Sequence, residues 1–125
     1  MSLTFHWFLP TQGDSRGIVD PVTETASAWR SREPSFGYLL QVARAAEQLG
    51  FEGVLTPTGA WCEDAWVTTA SLLGTVQRLK FLVAFRPGLV SPTLAAQMAA
   101  TYQRLSGGRL LLNVVTGGES AEQRA

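Results

Sequence analysis

The chain has 125 residues, 46% of them hydrophobic, with 10 basic and 10 acidic side chains and a single cysteine. That size fits one domain of about 100–150 residues, and the apolar share supports a packed core, which excludes a wholly disordered chain. A formal net charge of zero with scattered arginines argues against an electrostatic nucleic-acid binder and a polybasic membrane patch, and one cysteine forms no internal disulfide.

Cys62 and His6 alone are too few for a zinc site. The opening Met-Ser-Leu-Thr-Phe-His-Trp carries neither a basic start nor an apolar stretch, so it does not read as a signal peptide. The longest apolar runs fall far short of the roughly 20 residues that span a bilayer. The expectation is a cytoplasmic protein that binds neither nucleic acid nor membrane.

The apolar period switches repeatedly between that of a strand and that of a helix. Leu3–Leu9 is an apolar and aromatic run halted by Pro10, and reads as the first strand. Thr11–Pro34 holds Gly13, Gly17, Pro21 and Pro34 among polar residues, with no sustained period. It reads as a long loop, and loops beyond about 12–15 residues in a compact domain are usually functional or disordered. Ser35 is placed to cap a helix whose apolar face is Leu39, Val42, Ala43, Ala46 and Leu49, ending at Gly50.

Phe51–Thr56 reads as the second strand, ended by Pro57. Thr58–Cys62 is a short loop. Glu63 and Asp64 then place acidic groups at the positive start of a second helix, which runs through Trp66, Ala70 and Leu73 to Gly74. Leu79–Arg86 is nearly continuous in apolar residues, as a parallel strand covered on both faces requires. Ser91-Pro92 is a cap followed by proline at the first helical position. The third helix is expected to bury Ala95, Met98, Ala99, Tyr102 and Leu105 before Gly107-Gly108 stops it. Arg109–Val115 is the fourth strand, and Thr116-Gly117-Gly118 opens another loop.

The order β-α-β-α-β-α-β implies parallel neighbours joined by right-handed crossovers. Two architectures are compatible with it: an open doubly wound sheet, or the first half of a (β/α)8 barrel, which typically needs about 250 residues. In either, chemistry sits in the loops that follow the strands. Those loops hold Pro10–Asp14, Thr58–Cys62, Phe85–Pro87 and Val115–Gly118. There is no G-x-G-x-x-G, no Walker A sequence and no G-x-S-x-G elbow, which weighs against dinucleotide, P-loop and serine-hydrolase readings. Asp14 and Glu63 form a carboxylate pair only if the fold happens to join them.

Phe5–Asp14 (Phe-His-Trp-Phe-Leu-Pro-Thr-Gln-Gly-Asp) is similar to the opening of the flavin-dependent alkanesulfonate monooxygenases of the bacterial luciferase-like superfamily. The similarity continues through Leu49–Gly59, Cys62–Trp66, Gln77–Pro87, Ser91–Thr93, Arg104–Arg109 and Asn113–Gly117, in order and spacing, with 17–34 the weak stretch. The resemblance implies an α/β fold, with residues 1–125 a single N-terminal half-barrel segment of parallel strands. It implies reduced FMN as cofactor, delivered by an NAD(P)H-dependent FMN reductase. It implies O2 and an alkanesulfonate as substrates, and aldehyde and sulfite as products. Such a site must exclude water, bind an anion and supply a proton donor or acceptor.

By the same resemblance Cys62 corresponds to the family cysteine near the flavin, and is the candidate catalytic residue. Phe8, Thr58, Val83, Ala84, Asn113 and Val115 correspond to cofactor-contacting positions, and Trp7 lines the same cavity. Val83-Ala84 corresponds to a cis peptide without proline, a bond that costs about 3–4 kcal/mol. Arg86, at the end of the third strand, is a candidate for binding the substrate anion. Gln12 departs from the histidine often found at its position.

Each has a plainer reading. Cys62 serves equally as a small buried residue, His6 as a structural histidine, Trp61 and Trp66 as packing residues, Asn113 as a strand-end cap, and Gly117-Gly118 as a turn. The family's later histidine, tyrosine and arginines and most of its FMN-phosphate site have no counterpart in these residues. The expectation is therefore a segment that is inactive alone. The alternatives are a non-catalytic half-barrel acting through association, as a homo-oligomer, and a luciferase-like oxidoreductase for another substrate.

Overall fold

The computed structural model describes residues 1–13, 32–60 and 62–116. Asp14, Trp61, Gly117 and Gly118, singled out in the sequence, lie outside them. The elements are β1 (His6–Phe8), α1 (Phe36–Gln48), β2 (Gly53–Thr56), α2 (Ala65–Leu72), β3 (Lys80–Phe85), α3 (Pro92–Ser106) and β4 (Leu110–Val114). Each helix starts where its cap stands. Ser35, Asp64 and Ser91 accept hydrogen bonds from the main-chain N–H of Tyr38, Val67 and Leu94 at 3.3, 2.8 and 3.2 Å. Gly107 ends α3 in the left-handed region at φ 67°, a conformation that glycine adopts without steric cost.

The four strands form one parallel sheet in the order β1-β2-β3-β4. This order decides between the two architectures. A doubly wound sheet reverses direction at a switch point, whereas here every right-handed crossover advances the same way and places its helix on the same face. The fold is the α/β arrangement of a partial (β/α)8 barrel. One side of the sheet meets the helices. There Val54, Phe81, Val83 and Leu110 pack with Leu39, Ala43 and Ala46 of α1, Ala65, Trp66 and Leu72 of α2, and Tyr102 of α3. The opposite face carries Phe8, Leu55, Leu82 and Leu111, which lie level across the sheet and are only partly buried. β3 is apolar on both faces because one faces helices and the other faces the barrel lumen.

Four expectations are corrected. Leu49 is 76% exposed, because it is the C-cap of α1 and lies off the buried face of Leu39, Ala43 and Ala46. Leu105 is 80% exposed, because the buried stripe of α3 runs through Met98, Ala99, Tyr102 and Ser106 and leaves Leu105 on its flank. The first strand pairs only over His6–Phe8, since it is an edge and Leu3 projects into solvent. The Val83–Ala84 peptide is trans, as is every peptide bond among the described residues. Trans geometry lets β3 keep an unbroken register with β4 from Phe81 to Phe85.

The lower end of the sheet, where strands begin, is tied by two charged side chains that the sequence did not single out. The Glu47 carboxylate at the end of α1 accepts from the main-chain N–H of Gln77, Arg78 and Leu79 at 3.0, 2.7 and 2.8 Å. The Arg109 guanidinium donates to the carbonyls of Leu73, Val76 and Ser106 at 2.8, 2.9 and 2.9 Å. Burial pushes the Glu47 carboxyl upward, but the three N–H groups and the Arg78 charge outweigh it and hold the group below its ordinary 4.5. His6 sits over Gly53, where a Cβ would come within 2.7 Å of the Lys80 carbonyl oxygen and 3.0 Å of His6 Nδ1. This packing gives His6 a structural place.

Replacing Gly53 with alanine is expected to destabilise the fold by about 1–3 kcal/mol through overpacking, measured by urea unfolding. Glu47→Gln is expected to cost about 1 kcal/mol at pH 7. Because the folded pKa is lowered, the charge-dependent stability is present in full above about pH 4.5 and lost as pH falls through the folded value. Urea midpoints measured from pH 7 to pH 3 should therefore show a constant gap between wild type and Glu47→Gln at higher pH that closes only below about pH 4.5.

Candidate functional site

The upper ends of β1 and β2 release two loops that meet, and the loop after β3 begins with Arg86. After β1, the turn Thr11–Gly13 is held by the Gly13 N–H donating to the Pro10 carbonyl at 2.9 Å. Gly13 has φ 90° and abuts the Arg32 carbonyl, so a side chain there is excluded by both backbone and space. After β2, the Cys62 N–H donates to the Gly59 carbonyl at 3.2 Å, and the Glu63 N–H donates to the Thr11 carbonyl at 3.0 Å. That last bond joins the two loops directly. Asp64 then caps α2, so Cys62 stands two residues ahead of the helix start.

These bonds bring Cys62 against the first loop. Its Sγ donates to Gln12 Oε1 at 3.9 Å, a weak S–H bond. The Thr11 hydroxyl is close enough to favour the ionised sulfur, and Arg86, from the end of β3, adds a favourable positive charge. Burial nevertheless dominates and pushes the Cys62 thiol above its ordinary 9.0. At neutral pH the group is a neutral thiol, a hydrogen-bond donor rather than a nucleophile. Thus the structure gathers two residues picked from the sequence, Cys62 and Arg86, with Thr11 and Gln12.

The remaining candidates divide. Phe8 and Trp7 line an apolar depression of about 340 Å³ with His6, Leu55 and Leu82. The Trp7 ring itself lies 5.2 Å from Phe51, and Trp7 is 54% exposed. Ala84 and Asn113 are direct neighbours across β3 and β4, one step further up the lumen face. Thr58 is partly buried just beyond β2. Val115 follows β4 and donates its N–H to the Phe85 carbonyl at 3.0 Å. Val83 is fully buried in the helix-facing core. Its side chain is turned from the lumen, so only its main chain is available to a ligand there. Trp66 also belongs to the core, 6.1 Å from Phe85 and 6.3 Å from Tyr102 by ring centroids.

Sequence reasoning missed Thr11, Leu55 and Leu82 as site residues. For the two leucines a signal existed: in strands apolar on both faces, residues alternating with the core positions Val54 and Phe81 must face the other side. The residues present suit the flat ring system of a flavin. Phe8, Leu55 and Leu82 line an apolar floor, which Ala84 and the polar Asn113 continue one step up the same face of the sheet.

Among the described residues no helix is long and apolar enough to cross a membrane. A solved structure similar to this one is EDTA monooxygenase from Chelativorans sp. BNC1, with 20% identity and a TM-score of 0.65. The match covers 73% of this chain but 26% of that one, so the chain spans about a quarter of that enzyme's length. At this identity the likeness is one of fold. The sequence carries the assignment further: residues 3–125 match the family model of the luciferase-like monooxygenases, and the chain belongs to that family.

Proposed function

We propose that this chain is the opening half of a flavin-dependent monooxygenase that uses reduced FMN and O2 to convert an alkanesulfonate to aldehyde and sulfite, with an NAD(P)H-dependent FMN reductase as its partner. The single observation that carries the reading is the contact of Cys62 with Gln12 at the upper strand ends, with the Arg86 charge acting on the thiol. Family membership supports the use of reduced flavin.

In this reading the flavin supplies the electrons that activate O2, and the chain's own residues prepare the surroundings. Phe8, Leu55, Leu82 and Ala84 exclude water from one face of the ring. Asn113, Thr58 and Val115 offer hydrogen-bonding groups near its edge. Cys62 presents a neutral thiol, and Gln12 orients it. Arg86 supplies a permanent positive charge for the sulfonate. A carboxylate substrate, such as the name of the structural relative suggests, would use the same charge.

The second reading, association without catalysis, is favoured by sheet edges at β1 and β4 that no strand among the described residues covers, and by exposed Leu112 and Val114 on β4. An open parallel edge is a template for another strand. In both readings we propose that residues 1–125 turn over no substrate unless the lumen is closed by further strands, and that the chain works within a larger assembly in the cytoplasm.

The test is sulfite release from an alkanesulfonate with FMN, NAD(P)H and a flavin reductase. A closed-barrel form of the protein should release sulfite, and residues 1–125 alone should not. Folded closed-barrel protein that yields none overturns the sulfonate reading. Arg86→Met should raise the KM for the sulfonate about tenfold with a much smaller change in kcat, the mark of an interaction made equally in ground and transition states.

A further inference from the structure

Thr11 is a polar residue in a place that rewards an apolar one. It is completely buried, and its Oγ1 makes no hydrogen bond. A valine would fill the same volume without stranding a hydroxyl, and a stranded hydroxyl weakens the folded state. The main chain at Thr11 is meanwhile fixed: its N–H donates to the Leu9 carbonyl at 2.9 Å and its carbonyl accepts from Glu63 at 3.0 Å. The unpaired hydroxyl is therefore held on a loop bonded to the residue after Cys62, near enough to favour the ionised sulfur. Against that sulfur stands Gln12 Oε1, the acceptor of the S–H at 3.9 Å. The thiol bracket thus consists of an amide oxygen that accepts from the sulfur and, on the loop bonded to the Cys62 segment, a buried hydroxyl with no other partner.

We propose that Thr11 and Gln12 are positioning residues for the Cys62 thiol where the first two strand-end loops join: Gln12 accepts the S–H, and the unpaired Thr11 hydroxyl is held in reserve to donate to the sulfur when it ionises. The significance of this for oxygenation rests on the flavin reading, but the bracket is a property of this chain. It accounts for the buried hydroxyl, and it gives the glutamine a role that needs no proton transfer. Arg86 is the charged group that acts on the thiol from the third loop. Glu63 and Asp64, next in the chain, are exposed.

Because Cys62 is the only cysteine, its ionisation can be followed without ambiguity by the rate of iodoacetamide alkylation against pH. The two bracket members act on opposite ionisation states, so their removal should move the titration in opposite directions. Thr11→Val removes a donor to the thiolate and should move the midpoint up, slowing alkylation at pH 8 roughly threefold. Its unfolding midpoint should be unchanged or higher, since the stranded hydroxyl is gone. Thr11→Ser restores the hydroxyl and should restore the titration. Gln12→Leu removes the acceptor of the neutral thiol and should move the midpoint down.

A structural role alone would alter stability and leave the titration in place. Unchanged midpoints in both variants, shifts in the same direction, or failure of Thr11→Ser to restore the wild-type curve would overturn the proposal. The measurement needs neither flavin nor sulfonate. Its failure therefore leaves the sulfite assay to judge the monooxygenase reading, and absence of sulfite leaves the thiol bracket standing.

Discussion

The connection from α2 to β3, residues 73–79, is where the fold is fastened. A chain that leaves a helix and enters a strand strands its last carbonyls and first N–H groups, and partly buried main-chain groups must find partners. Here the carbonyls of Leu73 and Val76 are taken by Arg109, arriving from the start of β4, and the N–H groups of Gln77, Arg78 and Leu79 by Glu47, arriving from the end of α1. One connection is thereby tied to the units before and after it. The work is done by charged hydrogen bonds to neutral amides, which are stronger than amide–amide bonds and keep each charge partly hydrated. Only a guanidinium offers enough fixed donors to reach three carbonyls on two connections.

This fastening lies at the end of the sheet opposite the candidate site, and the separation has consequences. At the lower end the charged groups have partners and the geometry is set by the main chain. At the upper end Thr11 and Thr56 keep buried hydroxyls without hydrogen bonds, and the loops hold a half-buried thiol and an arginine. Barrel folds commonly divide their two ends in this way, stability below and chemistry above. A rigid lower end makes an adaptable upper end tolerable, because loops that meet over the strand tips can be polar and tight without carrying the fold. The sheet repeats the division across its thickness. Its helix-facing side is a closed core, while Phe8, Leu55 and Leu82 on the lumen side form an apolar surface fit for a flat ring.

Much of the fold was legible because the signals are local. Ser35, Asp64 and Ser91-Pro92 mark helix starts by chemistry that depends on the next three residues alone, and Gly107 marks an end by its own backbone freedom. The unbroken apolar run of β3 already required two covered faces. What no local signal carried was the strand order, on which barrel and doubly wound sheet differ. Nor was the role of Glu47 or Arg109 visible, since each looks in sequence like an ordinary surface charge. Leu105 failed for a related reason: its position falls near the buried stripe of α3, and only packing shows which flank the stripe takes.

The site was legible unevenly, and the pattern is instructive. Cys62 and Arg86 were picked separately, one by family resemblance and one by its place at a strand end, and the pull of Arg86 on the Cys62 thiol depends on tertiary structure. The trans peptide at Val83–Ala84 removes a strained bond but keeps the place of the pair, since Ala84 still lies beside Asn113 on the lumen face. Gln12 is where resemblance was least informative. Set against a family histidine it reads as a loss of proton-transfer capacity, but set beside Cys62 it is an acceptor of suitable reach for a neutral thiol. A histidine in that place would add a titrating charge next to the sulfur, whereas an amide holds the same contact without responding to pH. In this chain burial holds the thiol neutral against the pull of Thr11 and Arg86, so the cysteine presents a hydrogen-bond donor rather than a thiolate.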